Sequence, residues 1–345
     1  MEEIIIQPRH ILLYIGPGRD IAIGENFIKL PFLINLRKAF PDASITWIHG
    51  NEPSMFMGLL APLAKGLIDE VLFDRDLGEG IGCMTPWHRA LPGREFDLII
   101  DTQKNPRRTL ILRRIKHKVL ISPTWRYFFS DKKPPKAYNK PKALTDKLLA
   151  LAFAATGNIV LPDHRLPIPD EVHYGARLLL PEGPTYVGFA PGAGLQITGK
   201  CWPLERFVAA ARKQDEENRI PVFITGPQER ELEAKIREAI PEALFPLADL
   251  SKLDGILTDS LRGPVLTMAI GNLLSVSVAN CSGTGHMLAA GGSPMISLFG
   301  PTNPDKFAPF TPDITIIKAQ EYGDDNIESI PTSRVIEAIE SRLHS

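Results

Sequence analysis

Three cysteines, Cys83, Cys201 and Cys281, are all that the 345-residue chain contains. They are too few and too scattered for a disulfide framework or a zinc ribbon, which points to a reducing cytoplasm. Long apolar runs are also missing, since none reaches the ~18 residues of a membrane-spanning helix. The N-terminus, MEEIIIQPRH, is acidic with only three consecutive apolar residues, so it does not read as a signal peptide. Hydrophobic residues make up 44% and charged residues 23%, which excludes disorder, collagen and coiled coil. At ~150 residues per domain, the length suggests two domains.

Net charge is nearly absent too, with 39 Lys and Arg against 40 Asp and Glu, but the distribution is lopsided. Between Lys104 and Lys147 stand fourteen basic residues and two acids, Asp131 and Asp146, with Trp125, Tyr127, Phe128 and Phe129 among them. Such a stretch is either a solvated helix followed by a mobile loop or a docking surface for an anionic partner. Arg107, Arg108 and Arg126 are its candidate anion-binding residues. Nucleic acid is not the expected partner, because no recognition-helix or RNA-motif signature accompanies the charge.

Apolar runs rich in β-formers alternate with amphipathic stretches from end to end. The first series reads as strands over 11–15, 44–48, 69–73, 96–101 and 117–122, with a helix in NFIKLPFLINLRKAF. A proline-rich passage, LPDHRLPIPDE (161–171), then reads as a linker. The second series places strands over 185–191, 220–226, 273–280, 294–300 and 313–318. Helices are expected in WPLERFVAAARKQ, PQERELEAKIREA and SGTGHMLAAGG, and a last one follows Pro331 with a Ser or Thr cap. Continuous apolar strands separated by helices indicate parallel sheets covered on both faces. The expectation is α/β: an N-terminal domain over 1–165, a C-terminal domain over 166–330 and a terminal helix over 331–345, with the ligand site in a cleft between the two domains.

Three loops could hold chemistry. After the first strand, Gly16 and Gly18 give G-x-G, but Ile21 takes the third glycine position, so the dinucleotide fingerprint fails. The same loop carries Asp20 and Glu25, either of which is placed to act as a general base. The plainer role for Glu25 is to complement a helix N-terminus. In the second series, Pro191-Gly192-Ala193-Gly194 makes a small-residue turn, followed by Thr198 and Lys200 before a helix start. That order resembles phosphate-binding logic without the Walker spacing, and a plain loop with an exposed lysine is the alternative. The third loop, Asn280-Cys281-Ser282-Gly283-Thr284, opens a helix carrying His286. Free N–H groups there, with the Ser282 and Thr284 hydroxyls, suit a diphosphate. His286 is either a phosphate donor or a packed histidine. Cys281 reads as an inert thiol rather than a nucleophile. A second glycine turn, GPTNP (300–304), should face the same place.

On these residues the sequence resembles glycosyltransferase family nine, the ADP-heptose heptosyltransferases of lipopolysaccharide core assembly. The resemblance runs through Gly24-Glu25, Leu30-Pro31 and Arg37 to Ala43, then Pro191-Gly192-Ala193 and Lys200-Cys201-Trp202-Pro203-Leu204-Glu205-Arg206-Phe207. It continues through Gly226-Pro227-Gln228-Glu229 and the stretch from Asn280 to Pro304. It implies a GT-B fold, two Rossmann-like βαβ domains facing across a cleft, and inverting, metal-independent sugar transfer from a nucleotide-diphosphate donor. Glu25, or Asp20, would be the base. Gly192, Thr198, Lys200, Gly226, Glu229, Ser282, Gly283, Thr284 and His286 would hold the donor. The basic stretch would meet a phosphorylated glycolipid or other cell-surface glycan acceptor, with peripheral contact at the inner face of the inner membrane. No cofactor or metal is expected. Three departures mark a divergent member: Cys281 replaces the aspartate that grips the transferred sugar, Glu25 replaces aspartate, and the loop from Ile15 to Gly24 is longer. Two other readings of the same scaffold are a catalytically silent nucleotide-sugar-binding protein and a nucleotide-sugar epimerase or hydrolase.

Overall fold

The computed structural model describes residues 7–16, 22–50, 53–73, 77, 81–85, 87–135, 141–158, 164–192, 199–226 and 229–344. The chain forms two compact units, one of Met1–Ala22 with Lys29–Pro162, the other of Ile23–Ile28 with Asp163–Ser345. In the first, β1 (His10–Gly16), β2 (Ser44–His49), β3 (Glu70–Leu72), β4 (Glu95–Asp101) and β5 (Lys116–Ile121) pair in parallel in the order β3-β2-β1-β4-β5. Leu12 of β1 stands level with Thr46 on one side and Ile99 on the other. Both faces of β1 are buried beyond His10, which is why its sequence is an unbroken apolar run. The helices are α1 (Ile23–Ala39), α2 (Ala61–Ala64), α3 (Pro106–Leu112) and α4 (Leu144–Thr156). Leu12, Ile99, Leu120, Ile111 and Leu112 share one core, so α3 is fixed to the sheet by its apolar face.

The second unit repeats the plan. β6 (Tyr186–Ala190), β7 (Ile220–Phe223), β8 (Val276–Asn280), β9 (Met295–Phe299) and β10 (Ile314–Lys318) form a parallel sheet in the order β10-β9-β8-β6-β7. Its helices are α5 (Asp170–Leu179), α6 (Leu204–Glu216), α7 (Arg230–Ala239), α8 (Pro264–Gly271), α9 (Gly283–Gly291), α10 (Pro304–Phe307) and α11 (Thr332–Leu343). Phe223 stacks on Phe189 at 5.3 Å and on Phe245 at 5.7 Å, the middle of a core that Val335, Ala338 and Ile339 of α11 complete. All ten expected strands are present, and the two Rossmann-like sheets of the α/β reading are both there.

Three local expectations need correction. The passage 161–171 is not all linker: Leu166 is buried, its N–H donates to the Ala290 carbonyl at 3.0 Å, and α5 starts at Asp170. Burial of Leu166 against α9 outweighs the turn tendency of the prolines. The helix of 26–40 starts earlier, at Ile23, and continues through Pro31. α11 has Pro331 at its N-cap and no side-chain cap, so the Ser or Thr cap is absent. Proline's fixed backbone angle sets the helix entry instead.

At the carboxyl end of β4, Asp101 is fully buried and accepts from Thr109 Oγ1 at 2.6 Å, Ser122 Oγ at 2.9 Å and the Gln103 N–H at 2.8 Å. This ties α3 and the end of β5 to β4. Burial outweighs these donors and pushes the carboxyl up to about 6. Between pH 3.8 and about 6 the folded chain therefore holds a proton that the unfolded chain has lost, so this group's contribution to stability falls as pH rises through that window. Asp101→Asn, which does not titrate, should gain stability relative to the parent by on the order of 2–3 kcal/mol from pH 4 to pH 7. Denaturant melts across that range check it; a stability difference independent of pH would contradict the assignment.

Candidate active site

In the second sheet the strand order reverses between β6 and β8, and open α/β sheets bind ligands beyond the carboxyl ends of strands at such a point. Asn280, the last residue of β8, organises it. Its fully buried side chain donates Nδ2 to the Pro191 carbonyl at 2.8 Å and accepts from the Trp202 N–H at 3.1 Å. The loops that leave β6 and enter α6 are thus pinned to the end of β8. Most of K-C-W-P-L-E-R-F serves this scaffold. Trp202 is buried edge-on to Phe207 at 5.0 Å, its Nε1 donates to the Ile330 carbonyl at 3.0 Å, and Arg206 Nη1 donates to the same carbonyl at 2.7 Å. Lys200, half-buried at the head of the motif, is the residue left for chemistry.

Around Lys200 the third loop and the second glycine turn converge. The Cys281 thiol is pushed up to about 11 by burial, with the Lys200 ammonium and a hydrogen bond to Thr302 opposing that rise. It is a neutral thiol at pH 7, as expected of an inert cysteine, and it marks where Lys200 and Thr302 lie. A Cβ on Gly300 would stand 2.3 Å from the Gly199 carbonyl, which also accepts the Ile327 N–H at 3.3 Å. The GPTNP turn is therefore locked beside Lys200, as its position after β9 suggested. Thr302 was not singled out in the sequence, where only the turn around it carried a signal.

Ser282 caps α9, its hydroxyl accepting from the Gly285 N–H at 3.5 Å. Gly283 and Thr284, both half-buried, begin the helix, where N–H groups have no intrahelical acceptor. The first turn of α1, part of the same unit, packs directly on that of α9. A Cβ on Gly283 would lie 3.0 Å from Ile23 Cβ, and one on Gly24 would lie 2.8 Å from His286 Cδ2. A side chain on either glycine would crowd this approach, so both positions favour glycine. It brings the exposed Glu25, in the first turn of α1, to the neighbourhood of the α9 N-terminus.

Other nominated residues have different surroundings from those expected. His286 is buried, hydrogen-bonded to the Phe307 backbone and lowered to about 4, chiefly by burial. It is neutral at pH 7, so it carries no positive charge toward a phosphate, and the packed-histidine reading fits this geometry. Glu229 accepts the Gly226 N–H at 2.6 Å and is raised by burial. Its carboxylate occupies the space where a Gly192 side chain would go, 1.5 Å from a Cβ built there. Gly192 is small because Glu229 folds over it, which the spacing did not disclose. In the first unit, Arg107 Nη2 lies 2.9 Å from Cys83 Sγ and Arg108 is 7% exposed, so of the three nominated arginines only Arg126 is freely presented to solvent. Asp20 and Thr198, like Pro227 and Gln228, lie outside the described residues.

Among the described residues, no cluster of three or more His, Cys, Asp or Glu has metal-binding geometry. The positive potential here comes from Lys200 and from the α9 N-terminus. Together with the Thr302 and Thr284 hydroxyls, they make a place suited to an anion, with a solvent-accessible carboxylate nearby.

The family model of glycosyltransferase family 9 (heptosyltransferase) matches residues 84–330. The N-terminal part of the resemblance, including Glu25, precedes the matched residues. The lipopolysaccharide core heptosyltransferase OpsX of Haemophilus influenzae is 23% identical over 295 residues, covering 84% of this chain and 79% of that protein. The crystal structure of a family 9 glycosyl transferase from Veillonella parvula superposes with a TM-score of 0.67 at 19% identity, over 98% of both chains. The ADP-heptose lipopolysaccharide heptosyltransferase II of E. coli superposes with a TM-score of 0.64 at 19% identity, over 97% of this chain and 98% of that one. The fold is shared with these structures, and by the family model the chain belongs to glycosyltransferase family 9, the heptosyltransferase family.

Proposed function

We propose that this glycosyltransferase moves a heptose or related sugar from an ADP-linked donor to a lipopolysaccharide-type or other cell-surface glycan acceptor, with inversion and without a metal. The observation that carries the proposal is the convergence of Lys200, Thr302 and the α9 N-terminus at the β6/β8 switch point, with Glu25 on the turn packed against α9. The names of the similar proteins, a core heptosyltransferase and an ADP-heptose heptosyltransferase, support the donor and acceptor classes.

In this reading the acceptor hydroxyl oxygen attacks the anomeric carbon while Glu25 takes its proton. The bond from that carbon to the diphosphate oxygen breaks, and inversion follows from attack on the opposite face. Charge grows on the leaving diphosphate, where the Lys200 ammonium and the first N–H groups of α9 stabilise it more than they stabilise the bound donor. Cys281 offers a neutral thiol where the family carries an aspartate, so the sugar is held there without a carboxylate.

Glu25→Gln keeps the size of the side chain and removes the base. Transfer should fall about 100-fold or more, with donor affinity unchanged in a binding titration. Unchanged turnover would move the base to Asp20 or elsewhere. Barely detectable transfer by the parent, despite tight donor binding, would favour the silent nucleotide-sugar-binding protein. Lys200→Ala should weaken donor binding about tenfold or more, as expected for a lost charge-assisted contact. Equal donor affinity in the two proteins would remove Lys200 from the site.

A further inference from the structure

Beyond β5 the chain makes a turn that displays aromatic rings. Trp125, Arg126 and Tyr127 have φ of 47°, 57° and 64°, three successive non-glycine residues in the left-handed region. Side-chain crowding disfavours that conformation, and such strain persists only where the surroundings impose it. The surroundings here do so on both flanks. Thr124 is fully buried, with Oγ1 2.8 Å from Thr109 Oγ1, and the Phe128 N–H donates to the Thr124 carbonyl at 3.2 Å. On the other side the Ser122 N–H donates to Ser130 Oγ at 3.0 Å, and the Asp131 N–H donates to the Leu120 carbonyl at 2.8 Å. Arg113 Nη1 donates to the Phe129 carbonyl at 2.8 Å.

What this pinned turn displays is apolar. Trp125 is 64% exposed and Phe128 71% exposed, and with Phe129 their rings form one cluster, 5.1–6.4 Å between centroids. Burying that much aromatic surface in the core is favourable, so its exposure on a strained turn needs a partner to explain it. The chemistry of the rim identifies one. Arg126, within the turn, and Lys133, four residues beyond Phe129, are both exposed. From Thr102 to Thr145 the sole acid is Asp131, and its carboxylate is engaged by Arg113 at 3.3 Å and the Leu120 N–H at 2.8 Å. Trp and other aromatic rings settle at the headgroup level of bilayers, and basic residues beside them are drawn to anionic lipids.

We propose that the Trp125–Phe129 turn is an interfacial anchor that inserts its aromatic cluster into the surface of an anionic phospholipid bilayer, with Arg126 and Lys133 on the headgroups. Two signals are combined, apolar insertion and basic attraction, as reversible peripheral attachment requires. No described helix is long and apolar enough to cross a membrane. The proposal stands apart from the donor-site reading, because attachment needs no donor.

The test is co-sedimentation of the full chain with phosphatidylcholine vesicles, with and without phosphatidylglycerol. The parent should bind the phosphatidylglycerol-containing vesicles, release from them in high salt, and ignore phosphatidylcholine alone. Trp125→Ser/Phe128→Ser, with an unchanged melting temperature, should lose about tenfold or more of the partitioning. Lys133→Glu should weaken it less. Tryptophan emission separates insertion from mere adsorption. Trp87 is the other exposed indole, at 85%, so in a Trp87→Phe background the emission should shift blue on vesicle binding through Trp125. Absence of binding to phosphatidylglycerol-containing vesicles, or equal binding by the double serine variant, would overturn the proposal. So would self-association of the parent, abolished in that variant, without vesicle binding, which would make a second copy of the chain the occupant.

Discussion

The buried side chain of Asn280 makes two hydrogen bonds that no other residue at the end of β8 could make together, to the Pro191 carbonyl and from the Trp202 N–H. They tie Pro191, just after β6, and Trp202, just before α6, to the end of β8, and with the Gly199–Ile327 contact they set where Lys200 stands. A carboxamide supplies both a donor and an acceptor, which a carboxylate or a hydrophobe of similar size does not. Left unmade, each of the buried backbone groups would cost about 1–3 kcal/mol. One neutral polar residue at the end of an apolar strand thus joins two of the segments that frame the site.

Around that anchor the electrostatics are simple. Among the described residues, positive potential comes from the Lys200 ammonium and the α9 terminus, while burial holds His286 neutral and Cys281 as a thiol. A site built this way has few charges to reorganise when a diphosphate arrives or leaves, which is the condition for effective electrostatic stabilisation. Glu25, the proposed base, is by contrast exposed in the first turn of α1. In the proposed reading, burial divides the roles, with donor charge handled inside and proton transfer at the surface.

Much of this was legible in the sequence, for identifiable reasons. All ten strands stood out because strands buried on both faces must be continuous apolar runs, and glycine or proline closes most of them. α8, PVLTMAIG, gave no comparable signal: all of its residues are buried, so it has no polar face and no helical period. α5 was hidden by the prolines before it. At the site, the order of Lys200, Ser282 and Gly283 along the chain was enough to find the loops. What Glu229 and His286 do was not, since each is placed by a neighbour distant in sequence, Gly192 and Gly24. Spacing reports which residues share a loop. It does not report which of them are already occupied.

The most direct measurement is the melting temperature of the full chain against ADP, UDP and GDP, and the sugar nucleotides built on them, in buffer containing a chelator. A ligand that binds only the folded state stabilises it by RT ln(1 + [L]/Kd), so saturation at about 100 times Kd contributes ~2.7 kcal/mol, a visible shift. A rise with ADP and a larger one with an ADP-linked sugar are expected, both undiminished by the chelator. A shift with a different base would keep the site and change the donor. No shift with any of these ligands would contradict the assignment of the β6/β8 switch point as a nucleotide-diphosphate site.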